Sequence, residues 1–218
     1  MTIPRARAPV DPVGTAAPSL MHSSRRWALL IMLFAGMLFG YAHRSAFSVA
    51  VPFLSRDLNL SKASTGVLIS SFFWLYSFMQ VPAGWAVDRF GVRRAYSFGF
   101  IFWSVASSMM GLATGFASFL GLRVAMGAGQ AVMFPASARA TTNWFQDRER
   151  GVVTGIYLTG VRLGQALITW VGARFLARHD WKIFFILSGL VTAIWVLPWI
   201  KTLKRWEPPT RVPRTAEA

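Results

Sequence analysis

The 218-residue sequence contains no cysteine and only eight acidic residues. Without a thiol it cannot form a disulfide framework, a thiolate zinc site or a cysteine nucleophile. The three histidines, His22, His43 and His179, lie far apart in the sequence, which argues against a metal cluster. No apolar segment carries a pair of carboxylates, so an acid–base catalytic site has no candidate residues. We therefore expect no enzymatic activity and no bound metal or cofactor.

Charged residues make up only 14% of the chain, whereas hydrophobic residues make up 54%. A soluble domain usually carries about 25% charged residues. The 23 Lys and Arg residues give a formal net charge of +15, an excess that could suit nucleic-acid binding. They lie between long apolar runs, however, as in loops that face lipid headgroups and the cytoplasm. We therefore expect a protein of the lipid bilayer that binds no nucleic acid.

Uninterrupted apolar runs predict several transmembrane helices, each of which needs about 20 mostly apolar residues. Residues 63–87 and residues 95–122 contain no charged side chain, and residues 183–200 form a shorter final run. Thr114-Gly115 divides the second run into a third helix and the start of a fourth.

Two further apolar runs are interrupted by basic residues. Residues 27–54 contain His43-Arg44, and residues 151–173 contain Arg162. A lone charge within such a run usually serves a function or faces a cavity, so we interpret both runs as helices. The sequence thus predicts an all-α membrane protein with six transmembrane helices.

Polar segments flank the helices. Residues 1–24 are rich in Pro and Ala and are expected to form a disordered cytoplasmic tail. The apolar stretch that follows is too long for the core of a signal peptide, so we expect it to be retained as the first helix. Residues 25–201 would form the transmembrane bundle. Residues 202–218 would form a polar cytoplasmic tail, in which Pro208-Pro209 stops any helix.

Every charged residue within the expected spans is an arginine, since Asp and Glu occur only in tails and loops. A buried Arg costs about 2.5–3.5 kcal/mol or more unless it is paired or solvated. Arg44 and Arg162 therefore need a counter-charge from an anionic substrate, a partner domain or water. Arg44 is the eighteenth residue of its run, too deep to reach the interface easily. We favour substrate contact for Arg44 over bonding to backbone carbonyls, and expect Arg123 and Arg139 to be structural or interfacial.

Polar side chains recur at helical spacing around Arg44. Intervals of three and four residues align Tyr41, Arg44, Ser45 and Ser48 on helix 1, and Phe73, Tyr76 and Gln80 on helix 2. Gln130 lies midway along helix 4. Such residues often join helices through hydrogen bonds, but a stripe with a cation, a phenol and amides also suits a carboxylate or a polyol.

The segment after helix 2 reads GWAVDRFGVRR, with glycines, an acid and arginines at fixed spacing. It resembles the loop between helices 2 and 3 of the major facilitator superfamily, G-x-x-x-D-R-x-G-R/K-R/K. The glycines would allow a tight turn, and the aspartate could cap a helix and pair with a nearby arginine. We expect these residues to form a conformational latch, a set of contacts that can break when the domains rock. They are Gly84, Asp88, Arg89, Gly91, Arg93 and Arg94.

Residues 25–200 resemble one branch of that superfamily, the anion:cation symporters, which include bacterial sugar-acid symporters. The similarity lies in YAHRSAFSVAVPFL on helix 1, SSFFWLYSFMQVPAGW on helix 2 and RVAMGAGQAVMFPA on helix 4. It implies half of a major facilitator fold, in which six helices form two inverted three-helix repeats and substrate binds near the midplane. It also implies a multi-pass protein of a bacterial-type inner membrane.

The resemblance implies that Arg44 contacts a substrate carboxylate, with Tyr41, Tyr76 and Gln80 beside it. Gln130 and Arg162 also lie within the spans and are added to this set. The expected substrate-binding residues are Arg44, Tyr41, Tyr76, Gln80, Gln130 and Arg162. The chain departs from the branch where two acids are replaced by His43 and Gln130. Since imidazole titrates at about pH 6.5, His43 is a candidate for proton coupling. The alternatives are a hydrogen bond from His43 to a neighbouring helix, and an uncoupled facilitator or exchanger.

The predicted function is transport of a small organic anion, a sugar acid or another carboxylate, by alternating access. One six-helix bundle makes only half of the cavity in this fold. We therefore expect a second six-helix bundle from a separate chain, a missing C-terminal half or a second copy. The alternative is a truncated, non-transporting membrane remnant or scaffold.

The distribution of basic residues predicts the orientation. Six helices place both termini on one side of the membrane, where fifteen Lys and Arg residues lie, against five on the other side. Loops rich in Lys and Arg stay in the cytoplasm, so both termini are expected to be cytoplasmic.

Single cysteines can test this orientation, because the chain has none of its own. A thiol reagent that cannot cross the membrane should label Asn59→Cys and His179→Cys from outside intact cells. It should miss Thr15→Cys and Thr215→Cys until the cells are opened. External labelling of Thr215→Cys would contradict the six-span arrangement.

Overall fold

A computed structural model describes residues 23–204, and within that range it contains seven α-helices and no β-strand. The helices are α1 (Ser23–Asp57), α2 (Lys62–Phe90), α3 (Val92–Met110), α4 (Phe116–Gln130), α5 (Met133–Trp144), α6 (Asp147–Leu176) and α7 (Trp181–Lys204). The tails expected at 1–24 and 202–218 lie outside the described residues, except that α1 begins at Ser23 and α7 continues to Lys204.

These helices account for six transmembrane segments. Five segments of the described chain are long and apolar enough to cross a membrane: Arg25–Asp57, Lys62–Phe90, Phe116–Trp144, Asp147–Leu176 and Trp181–Leu203. The third of these joins α4 and α5 across a short break. The sixth segment is α3, whose 19 residues span about 28 Å, close to the thickness of a bilayer core. The predicted all-α fold with six spans is confirmed.

The pairing of helices depends on small residues. α1 packs most extensively against α6, α3 against α7, and α2 against α4. At the α1–α6 contact, a Cβ atom added to Gly160 would lie 2.6 Å from the carbonyl oxygen of Phe34. A Cβ atom at Gly164 would strike the carbonyl oxygen of Leu38. In a bilayer such close backbone approach provides the van der Waals contact that holds helices together.

Aromatic side chains fill the contact between α3 and α7. The ring centroids of Phe100 and Trp195 are 4.3 Å apart, and those of Tyr96 and Trp199 are 4.8 Å apart. All four side chains are buried. The indole N–H of Trp199 also donates to the backbone oxygen of Arg93 at 3.4 Å. This aromatic seam joins α7 to α3.

One residue turns the chain from α2 into α3. Gly91 has φ 85°, and its N–H donates to the carbonyl of Val87 at 3.0 Å. Residues with a side chain rarely adopt that φ, so the turn requires glycine. Gly84, also expected in the turn, lies instead within α2.

The α1–α6 contact gives a direct test of the packing. Gly164→Ala should lower the free energy of unfolding by about 1–3 kcal/mol, because the added methyl group overlaps the backbone of α1. Gly155→Ala on the same helix is the control, since a Cβ atom there meets nothing within 4 Å. That change should leave stability within about 1 kcal/mol of the wild type. Thermal unfolding in detergent, followed by circular dichroism, makes the comparison, and equal midpoints for both variants would contradict the packing.

Candidate functional site

Arg44 lies just past the middle of α1, and aromatic rings from two helices surround its guanidinium. The guanidinium carbon is 4.5 Å from the ring centroid of Tyr41, 4.5 Å from that of Phe72 and 4.7 Å from that of Tyr76. The ring of Phe73 is 5.8 Å away. We call Tyr41, Phe72, Phe73 and Tyr76 the Arg44 cage. Its ring faces carry the negative lobe of the aromatic quadrupole, which attracts a cation.

A buried amide from α4 links Arg44 to the backbone of its own helix. Arg44 Nη2 donates to Gln130 Oε1 at 3.4 Å, and Gln130 Nε2 donates to the carbonyl oxygen of Gly40 at 3.2 Å. The first of these bonds is long, and Arg44 Nε is buried without a hydrogen-bond partner among the described residues. The guanidinium is therefore held in place but keeps unused donors.

Carboxylates are absent from the surroundings of Arg44. Within residues 23–204, Asp and Glu occur only at helix ends and in loops, at Asp57, Asp88, Asp147, Glu149 and Asp180. Cation–π contacts and a neutral amide weaken the cost of burying this charge but do not neutralise it. The arrangement is complementary to an anion.

Four of the six residues expected to bind substrate meet in this cluster. They are Arg44 itself, the cage residues Tyr41 and Tyr76, and Gln130. Gln80 lies one turn beyond Tyr76 on α2 and is half-buried. Arg162 is exposed on α6, and its side chain makes no hydrogen bond or ion pair with the described part of the chain. Phe72 was not among the predicted residues. Its position four residues before Tyr76 places the two rings on one face of α2, where they stack with centroids 5.4 Å apart.

His43 faces away from the Arg44 cage. Successive helical residues differ by about 100° around the axis, and the His43 ring meets α7. Its Nε2 atom lies 2.9 Å from the carbonyl oxygen of Ser188 and 2.9 Å from Thr192 Oγ1, and Nδ1 is buried with no described partner. This contact matches the alternative that the sequence left open, a hydrogen bond to a neighbouring helix.

Arg123 has a different environment from Arg44, although both lie near Phe72. Its Nε donates to the carbonyl of Leu68 at 3.1 Å and its Nη2 to that of Ile69 at 3.0 Å. Only 2% of the residue is exposed. Arg123 thereby fastens α4 to α2, in agreement with the structural role expected for it.

The expected latch residues lie around the α2–α3 turn. Asp88 Oδ1 pairs with Arg139 Nε of α5 at 3.2 Å, so its partner comes from outside the sequence motif. Arg89 and Arg94 are exposed. An exposed ion pair contributes about 0–1 kcal/mol, so this one can break and re-form at little cost.

Comparison of the sequence with known proteins shows the family. The model of the Major Facilitator Superfamily matches residues 23–218. The chain is 35% identical over 198 residues to a D-galactonate transporter of Escherichia coli O6:H1, covering 91% of this chain and 44% of the relative. It is 31% identical over 184 residues to a hexuronate transporter of Bacillus subtilis, covering 84% and 44%. It is 30% identical over 181 residues to a probable galactarate/D-glucarate transporter of Escherichia coli K12, covering 78% and 41%.

A solved structure supports the fold. A bacterial homologue of the human lysosomal transporter Spinster, inward-facing and unoccupied, superposes with a TM-score of 0.76 at 22% identity. The superposition covers 88% of this chain and 45% of that protein. The chain thus spans less than half the length of each of these four relatives.

Proposed function

The chain belongs to the major facilitator superfamily, and from that premise we propose that it forms the N-terminal half of a secondary transporter for a small organic anion. Relatives named as D-galactonate, hexuronate and galactarate/D-glucarate transporters support a sugar acid as the substrate. All three names describe polyhydroxylated carboxylates. The proposed site accordingly needs a cation for the carboxylate and neutral polar groups for the hydroxyls.

The observation that carries this proposal is the Arg44 guanidinium, which no carboxylate of the described chain neutralises. A substrate carboxylate can accept from the two terminal nitrogens at once, in the bidentate geometry that suits guanidinium, because Nε itself has no exposed surface. The phenols of Tyr41 and Tyr76 and the amide of Gln130 lie beside that position and can bond to hydroxyl groups. Gln80 and Arg162 would join the site from α2 and α6.

We also propose that the predicted latch residues take part in a conformational change. The chain would rock against a second six-helix bundle, and the Asp88–Arg139 pair would break and re-form beside the α2–α3 turn. Exposed apolar residues on α2, including Phe78 at 77% and Val81 at 80% exposed, provide surface for lipid or for such a bundle. We place the protein in a bacterial-type inner membrane with both termini in the cytoplasm.

Arg44→Lys tests the substrate site. Lysine keeps the charge but loses the planar fork, so D-galactonate affinity should fall by about tenfold or more while expression and folding are retained. Isothermal titration of the purified chain, alone and with a C-terminal six-helix partner, measures the change. D-Galactose serves as the neutral ligand, for which no Arg44-dependent binding is expected.

Arg174→Lys is the matched control. Arg174 also lies over an aromatic ring, 4.0 Å from the centroid of Trp170, but at the end of α6. Its substitution should leave affinity unchanged. Equal affinity of wild type and Arg44→Ala would assign Arg44 to structure. Failure of wild type to bind any sugar acid, with or without a partner bundle, would favour the non-transporting alternative.

The proposal of a coupled proton concerns His43. In the described conformation a protonated ring would bury an Nδ1–H group without an acceptor, which is costly. The hydrogen bond to α7 supports a structural role instead. Proton uptake on D-galactonate binding, measured in weakly buffered solution with a pH indicator, should therefore be the same in wild type and in His43→Gln. Loss of about one proton per bound anion in the variant would restore His43 as the coupling group.

A further inference from the structure

A long apolar groove lies between α2 and α3, outside the Arg44 site. Its volume is about 560 Å³. The two helices meet at the single-residue turn of Gly91 and diverge from it. Its walls are residues of α2 from Met79 to Phe90 and residues of α3 from Arg94 to Phe102, and Gly129 lies on its floor.

The floor of the groove is a tight crossing of α3 and α4. A Cβ atom at Gly99 would lie 2.6 Å from the carbonyl oxygen of Gly129, and one at Gly129 would lie 3.1 Å from that of Gly99. The walls carry small side chains, among them Ala86 and Ala95. The groove therefore exists because these positions lack bulk, and larger side chains on the walls would fill it.

The dimensions of the groove match one leaflet of a bilayer. Met79 and Phe90 are separated by eleven residues of α2, or about 16 Å of helix. Half of the hydrocarbon core is about 15 Å thick. The groove runs from the α2–α3 turn towards the middle of the membrane. An acyl chain of a lipid would therefore fit it in direction and in length.

The charge at the end of the groove selects among lipids. Arg94 is the charged residue of the lining and lies at the end nearest the turn. No acidic residue lines the groove, and the nearby Asp88 is engaged by Arg139 at 3.2 Å. A guanidinium at the mouth of an apolar groove is complementary to a phosphate group attached to a hydrocarbon chain.

We propose that this groove binds one anionic phospholipid, with an acyl chain between α2 and α3 and the phosphate at Arg94. The site differs from the Arg44 cage in position and in chemistry. It requires only that the chain spans a membrane, so it stands independently of the transported substrate. A bound lipid would fill the opening between α2 and α3 and brace the turn that carries the latch residues.

Native mass spectrometry of the full chain tests the proposal with defined mixtures of phosphatidylglycerol and phosphatidylcholine. The first phosphatidylglycerol should bind about fivefold more tightly than phosphatidylcholine, the factor expected for one basic residue near an anionic headgroup. Arg94→Gln should abolish that preference. Arg89→Gln, which removes an equal charge from the other side of the Gly91 turn and outside the groove, should retain it.

Variants that fill the groove test the contribution of the acyl chain separately from that of the headgroup. Ala86→Leu and Ala95→Leu, on opposite walls, should each weaken binding of both lipids. Val81→Leu, exposed on the same helix outside the groove, should not. Circular dichroism in phosphatidylcholine confirms that each variant is folded, and the second wall variant replaces the first if one is not.

Three outcomes would overturn the proposal. The first is equal binding of the two lipids by wild type. The second is equal loss of preference in Arg89→Gln and Arg94→Gln. The third is a dimer that excludes phosphatidylglycerol and dissociates in Ala86→Leu, which would assign the groove to a second copy of the chain.

Discussion

The structure depends on how arginine side chains are accommodated at membrane depth without any carboxylate beside them. Arg123 donates to two backbone carbonyls of α2, and only 2% of the residue is exposed, although its Nη1 has no described partner. Arg44 has aromatic faces, one long bond to an amide, and an unpartnered Nε. The same residue type thus has two roles, decided by how open each guanidinium is. An enclosed cation that donates to backbone oxygens joins helices, and a partly exposed cation with donors left over can recruit an anion.

The helix contacts hold the Arg44 cage together. Tyr41 and Arg44 belong to α1, the cage rings Phe72, Phe73 and Tyr76 belong to α2, and Gln130 is the last residue of α4. Gln130 forms hydrogen bonds with both Arg44 and the Gly40 carbonyl, so it bridges α4 and α1. A movement between these helices would alter the Arg44 bonds directly. The geometry of the Arg44 site is therefore coupled to the packing of the bundle.

Sequence patterns predicted the helices well because apolar runs and breaks act locally. Thr114-Gly115 separates α3 from α4, as expected, and the three-residue spacing put Tyr41 on the same face of α1 as Arg44. Tyr76 was assigned to the same site by the resemblance to the symporter branch. The same patterns could not show which neighbour each residue meets. His43 and Arg44 are adjacent in sequence yet face different helices, and Asp88 pairs with Arg139 from α5. Gly84 lies within α2, and the groove depends on the angle between α2 and α3, which no local pattern encodes.

The unneutralised Arg44 also determines how a membrane voltage acts on the bundle. In a transporter that rocks around this site, the empty site carries one positive charge, and a bound monovalent anion cancels it. Moving one elementary charge through the full potential costs or yields about 2.3 kcal/mol per 100 mV. A loaded, neutral site would cross the field with little work, whereas the empty site would not. The electrical energy of the membrane would then act mainly on the return of the empty carrier.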